Sequence, residues 1–223
     1  MVTIYHWDLS QVLQDEYGGW ESRRIIEDFT AYSIILFEEY GDKVKYWIVL
    51  NEPNIFTQLG YLLAMHPPGK KDMKTYLMTY RHTALVHANV VKLYKERGHK
   101  GYIGSSIAYT PGYSASEKEE DKEVLRRYYE TVSWWLMDIY QIAAYTKWRY
   151  ELFQKHGIAP EITEEDKMTV KYKMVCDDIE KDIMDGTYKK SNKLPAEDEL
   201  IEKYRYPEIP YVKRLIFLRE EVW

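Results

Sequence analysis

Three short, apolar, β-rich runs alternate with three longer stretches of helical periodicity up to Tyr140, and this alternation restricts the chain more than any other feature. The runs are Val2 to Trp7, Val44 to Leu50 and Tyr102 to Tyr109. After the first, Ile25, Phe29, Tyr32 and Leu36, with Ile26, Phe37 and Tyr40, recur at helical spacing until Gly41-Asp42 stops the helix. After the second, a loop containing His66-Pro67-Pro68-Gly69 leads to Asp72, an N-cap residue type for a helix reaching Arg97-Gly98. After the third, Ser116-x-x-Glu119 reads as a capping box opening a helix through Tyr129, Trp134 and Tyr140. Strand and helix alternating in this way predict an α/β fold with a parallel sheet and right-handed crossovers.

In such a fold, polar residues at the C-terminal ends of strands converge on one face, where reactive sites are built. Two strand ends carry them: Tyr5-His6-Trp7-Asp8-Leu9 and Asn51-Glu52-Pro53. Glu52 closes the apolar stretch Val44-Lys45-Tyr46-Trp47-Ile48-Val49-Leu50 and reads as a catalytic carboxylate at the end of a buried strand. His82 and His87 read as packing or polar-face residues of the following helix, and Asp8 and Asp42 as turn residues. The cluster of Trp134-Trp135 with Tyr128-Tyr129 reads as helix packing rather than a ligand platform. No residue pattern calls for a metal or a cofactor.

Composition narrows the function classes. With 223 residues, 45% of them hydrophobic, the chain has enough apolar surface to bury a core. A net charge of -5 and a pI of about 5.8 provide no general attraction for polyanions or anionic membranes, although a local basic patch is compatible with that total. No run approaches the roughly 18 apolar residues of a membrane span. A single cysteine, Cys176, excludes a disulfide within the chain and suits a reducing compartment, while Met1-Val2-Thr3-Ile4 lacks the features of a secretory leader. The expected location is the cytoplasm.

Several ordered motifs together resemble glycoside hydrolase family 1, the β-glucosidases and 6-phospho-β-glucosidases. Tyr5-His6-Trp7-Asp8-Leu9 resembles that family's third strand, Trp47-Ile48-Val49-Leu50-Asn51-Glu52-Pro53 its fourth and Gly101-Tyr102-Ile103-Gly104 its fifth. Gly18-Gly19-Trp20, the stretch Phe37 to Lys45, and Arg81-His82-x-x-Leu85-x-His87-Ala88 are further matches, and the likeness covers about residues 1–165. It implies a partial (β/α)8 TIM barrel of three βα units.

The resemblance also implies a chemistry. A glycosidic oxygen is a poor leaving group until protonated, so a retaining glycosidase sets two carboxylates about 5 Å apart across the sugar, one as acid/base and one as nucleophile. Glu52 would be the acid/base, Asn51 would reach the sugar 2-hydroxyl, and His6 and Trp7 would hold the remaining hydroxyls and the apolar face. The nucleophile motif Thr-Glu-Asn-Gly occurs nowhere in the 223 residues. The expectation is a β-glucoside or 6-phospho-β-glucoside site that is inactive alone and needs a complementing or oligomeric chain. Within the matched part, Ser10 stands where the family usually has Pro, and Ala143-Ala144-Tyr145-Thr146 where it has Gly-x-Tyr-Pro.

Residues 171–223 resemble something different. Ile179-Glu180-Lys181-Asp182-Ile183-Met184-Asp185-Gly186-Thr187-Tyr188 and Lys193-Leu194-Pro195-Ala196-Glu197 are similar to the start of a GntR-type winged-helix domain, implying a small helix-turn-helix-like segment. In that likeness Lys213 and Arg214 would contact the phosphates of duplex DNA. Ala196 replaces the family's capping Ser, and Pro207-Glu208-Ile209-Pro210-Tyr211 replaces its lead into the recognition helix. The alternative functions that follow are a DNA-binding regulator fused to a glycosidase remnant, or a chimeric product with no function.

Overall fold

A computed structural model of the chain describes residues 1–142, 145, 147–163 and 166. The helix-turn-helix expectation, with Lys213 and Arg214, lies outside the described residues, as do Ala143, Ala144 and Thr146.

The described chain begins with strand β1 (Val2–Tyr5), helix α1 (Gln11–Tyr17), a 3-10 turn at Gly19–Glu21, and helix α2 (Arg24–Tyr40). Strand β2 (Tyr46–Asn51) follows, then helix α3 (Pro53–Thr57), a π turn at Gln58–Leu62, and the long helix α4 (Met73–Glu96). Strand β3 (Tyr102–Ser106) precedes α5 (Glu119–Tyr128), a π turn at Tyr129–Trp134, α6 (Trp135–Ile142) and α7 (Lys147–Lys155). The three strands form one parallel sheet in the order β1-β2-β3, as the alternation predicts. Thr3 lies opposite Ile48 and Tyr5 opposite Leu50, so the ends of β1 and β2 lie side by side.

Packing follows from the alternation of side chains along β2. Trp47 and Val49 are buried, and the Trp47 ring meets Phe37 of α2 at 5.2 Å between centroids. Phe37 also meets Tyr94 of α4 at 5.0 Å, which binds α2, α4 and β2 into one apolar block. A second aromatic cluster lies under the end of β1, where Tyr5 packs edge-on to Trp20 and to Phe56, each at 5.2 Å. Trp20 Nε1 donates to the Tyr5 hydroxyl at 3.1 Å, and burial pushes that phenol up to about 12. Trp135 is buried against Tyr76 and Tyr80, so the packing role expected of it holds.

Helix ends show where local rules suffice and where they do not. Asp72 caps α4 as expected, its carboxylate accepting from Thr75 N at 2.6 Å. The capping box expected at Ser116-x-x-Glu119 is not formed. Helix α5 starts at Glu119 itself, while Ser116 Oγ accepts from Lys118 N at 3.2 Å and donates to Asp121, closing a turn ahead of the helix. Gly41 ends α2 with ordinary right-handed dihedrals. Its value is space: a Cβ there would stand 2.4 Å from Phe37 O and 2.7 Å from the His99 ring. The stretch from Pro53 to Leu62, read as part of a loop, is helical, with Pro53 in the first turn where a missing N–H costs nothing.

Candidate active site

Glu52 alone connects β2 to α3, and it does so in the left-handed region, at φ 44 and ψ 57. A non-glycine residue there carries about 1–2 kcal/mol of strain, which persists only where the surroundings impose it. The imposing contacts come from β3. Glu52 N–H donates to Ser106 O at 2.9 Å and shares its proton with Ser106 Oγ at 3.3 Å, beside an irregularity in the β2–β3 register after Ile48. The Glu52 side chain caps no backbone amide of α3.

Asn51, one residue earlier, links the three strand ends. Its side-chain amide lies 3.2 Å from His6 Nε2, its Oδ1 accepts from Ser106 Oγ at 2.9 Å, and its backbone oxygen accepts from Trp7 Nε1 at 2.8 Å. Trp7 also has positive φ, at 77, just beyond β1, and its half-buried ring meets His66 edge-on at 5.5 Å. The four residues singled out in the sequence, His6, Trp7, Asn51 and Glu52, are therefore gathered at the C-terminal end of the sheet. The indole N–H of Trp7 is committed to the Asn51 carbonyl.

Sequence reasoning missed the partners that hold this group. Ser106 and Ser105 sit at the end of β3 and point to opposite sides of the sheet. Ser106 bonds Asn51, whereas Ser105 Oγ accepts from Leu50 N at 3.3 Å and pairs with His87 Nδ1 of α4 at 2.9 Å. Buried Asn54 of α3 exchanges two hydrogen bonds with Ala108, at 2.9 and 3.2 Å, and so ties the residues after Glu52 to those after β3. A usable signal was present: two serines closing the strand that neighbours Asn51-Glu52 are polar residues at a strand's C-terminal end.

The histidines of α4 are structural. Buried His82 donates from Nδ1 to Trp20 O at 2.8 Å, and burial holds its pKa below the usual range. Burial also lowers the His87 imidazole, to about 4, so it stays neutral beside Ser105. At Asp166, burial favours the neutral acid, but the Arg23 guanidinium at 2.9 Å, the Thr163 amide and Arg81 outweigh it and hold the carboxyl below its ordinary value. Among the described residues no group of three or more His, Cys, Asp or Glu is placed to hold a metal ion, and no helix is long and apolar enough to cross a membrane.

A strand-end Asn-Glu pair held in this way invites comparison with glycosidases, and the profile of glycosyl hydrolase family 1 matches residues 1–197. The chain belongs to glycosyl hydrolase family 1. That match runs past residue 165, and over 171–197 it shares sequence with the stretch read as similar to a winged helix. Among curated proteins the chain is similar to the aryl-phospho-beta-D-glucosidase BglC of Bacillus subtilis, at 42% identity over 162 residues, covering 73% of this chain and 34% of that one. It is 37% identical to beta-glucosidase A of Acetivibrio thermocellus over 165 residues, 74% of this chain and 37% of that one. Among solved structures, the family 1 beta-glucosidase of Thermotoga maritima aligns with a TM-score of 0.65 at 34% identity, over 75% of this chain and 37% of that one. A rice beta-glucosidase aligns with a TM-score of 0.68 at 28% identity, over 77% of this chain and 38% of that one. These neighbours are TIM-barrel enzymes. The chain spans between 26% and 37% of the length of these and other curated relatives it matches.

Proposed function

We propose that this chain carries the acid/base half of a retaining β-glycosidase site, with Glu52 as the proton donor to the glycosidic oxygen. The supporting observation is the strained strand-end turn at Glu52, held by Ser106, beside an Asn51 already bound to His6 and Ser106. Backbone strain held in place by surrounding contacts is one way a fold fixes a reacting group. In this reading Asn51 and His6 meet sugar hydroxyls and Trp7 lies along an apolar sugar face. The substrate class is a β-glucoside or a 6-phospho-β-glucoside, the latter supported by the 42% identity to an aryl-phospho-beta-D-glucosidase.

Retaining hydrolysis needs a second carboxylate about 5 Å from the first, and the Thr-Glu-Asn-Gly motif is absent from the 223 residues. The reading therefore predicts no turnover by this chain alone, and turnover when a companion polypeptide supplies the other barrel strands. The test is hydrolysis of a chromogenic β-glucoside and its 6-phosphate, with and without that companion. Activity in the mixture that disappears with Glu52→Gln supports the assignment; activity that survives Glu52→Gln removes Glu52 from the role.

A further inference from the structure

We infer that Ser106 is a positioning residue: through Asn51 it sets the tautomer of His6, and so decides which hydrogen-bonding groups this end of the sheet presents to a ligand. The inference rests on the reading of Asn51 and Glu52 as a sugar-facing pair only for its purpose. Its geometry stands apart from that reading.

The direction of each hydrogen bond follows from the one before it. Glu52 N–H is a donor, so at 3.3 Å Ser106 Oγ accepts from it. The hydroxyl proton of Ser106 is then available, and its partner at 2.9 Å is the Asn51 side chain. A donated proton requires the amide oxygen on that side, so Oδ1 faces Ser106 and Nδ2 faces His6. Nδ2 has protons and no lone pair to offer. His6 Nε2, 3.2 Å away, must accept. A neutral imidazole that accepts at Nε2 carries its proton on Nδ1. An exposed imidazole in water favours the opposite, Nε2–H form, so the relay holds His6 away from its default.

The consequence is a defined surface chemistry. With the relay in place the site offers a second Asn51 N–H and the His6 Nδ1–H, both donors, at the strand end that carries Glu52. That pattern suits a polyol whose hydroxyl oxygens receive two hydrogen bonds while a neighbouring oxygen meets the acid. If Ser106 did not donate, Asn51 would be free to rotate by half a turn and offer Oδ1 to His6, and one donor would become an acceptor.

The test reads the tautomer directly. In the uniformly 15N-labelled chain at about pH 8, above the usual imidazole range, long-range proton–nitrogen spectra separate the two neutral forms, with His6 assigned among the six histidines by His6→Gln. The expected result is a predominantly Nδ1–H His6 in the wild-type chain, at least a twofold loss of that form in Ser106→Ala, and its retention in Ser106→Thr, which keeps the hydroxyl. Should Ser106→Ala lose the fold, Ser106→Cys, a weaker donor of similar shape, is expected to shift His6 part of the way. An Nε2–H His6 in the wild-type chain overturns the proposal, as does a tautomer unchanged by both Ser106→Ala and Ser106→Cys. Because this readout needs no sugar, failure of the relay is distinguished from failure of the glycosidase reading, which would show as no hydrolysis in any complemented mixture.

Discussion

The two ends of β2 are only a few residues apart and are built on opposite principles. At the start, Trp47 packs on Phe37, Phe37 packs on Tyr94, and Gly101 opposite them has no room for a side chain, since a Cβ would meet Tyr94 Oη at 2.3 Å and Lys45 O at 2.7 Å. At the finish, Asn51 and Glu52 are half-buried, held by hydrogen bonds to His6, Trp7 and Ser106, with one residue in a strained conformation. Close packing supplies free energy at one end, and part of it is stored as strain at the other. This is the division expected of parallel α/β sheets, where N-terminal strand ends stabilise and C-terminal ends carry chemistry.

Breaking the packed end has the largest expected effect. Phe37→Ala removes a fully buried ring touching both Trp47 and Tyr94, and should lower stability by about 3–5 kcal/mol in urea unfolding. Gly101→Ala tests the same end by overpacking and should cost about 1–3 kcal/mol, read from the same unfolding midpoint. Neither substitution touches the residues around Glu52, so a variant that still folds should keep the His6 tautomer of the wild-type chain.

The middle of the comparison is testable by pH. His87 has its pKa lowered from 6.5 in a free imidazole to about 4 in the fold, so between these values the unfolded chain binds a proton that the native chain refuses. Stability is therefore complete above pH 6.5 and falls as pH drops through that window, by of order 1–2 kcal/mol once partial solvent contact is allowed for. His87→Gln, whose amide oxygen still accepts from Ser105, should flatten that part of a stability–pH profile. A slope as steep as wild type would assign the effect to His82, the buried imidazole of α4.

The smallest effect sharpens the comparison at the strained end. Glu52→Gly relieves the left-handed backbone while adding chain entropy to the unfolded state, and should raise stability by about 0.5–1 kcal/mol. Glu52→Gln keeps the strain and should leave the urea midpoint within about 0.5 kcal/mol of wild type. A loss of stability in Glu52→Gly would mean that the turn is not strained in the way its dihedrals imply.

Much of this architecture is legible in the amino-acid sequence. Strands β1 and β2 and helix α2 fall close to where apolar periodicity places them, and Asp72 caps α4 as its residue type predicts, whereas β3 ends at Ser106 rather than at Tyr109. Helix α1 was not foreseen: it is only 7 residues long, and its apolar face is limited to Leu13 and Tyr17, which are partly buried against the core. Ser116 misled because a capping box is one of several turns a serine can make, and here Asp121 competed for its hydroxyl. His6, Trp7, Asn51 and Glu52 are singled out by their place at strand ends and by the family resemblance, and the fold brings them together.

By itself, then, the order of apolar and polar residues determined a parallel α/β sheet and put Asn51 and Glu52 at the C-terminal end of one of its strands, since period and strand polarity are properties of the chain alone. Only the tertiary structure decided what restrains them. Ser106 lies 55 residues from Asn51, and its hydroxyl becomes a partner through the register of two strands that no local pattern encodes. A hydrogen bond needs its donor and acceptor within a few tenths of an ångström of the right separation, and that precision is set by how the helices pack behind the sheet.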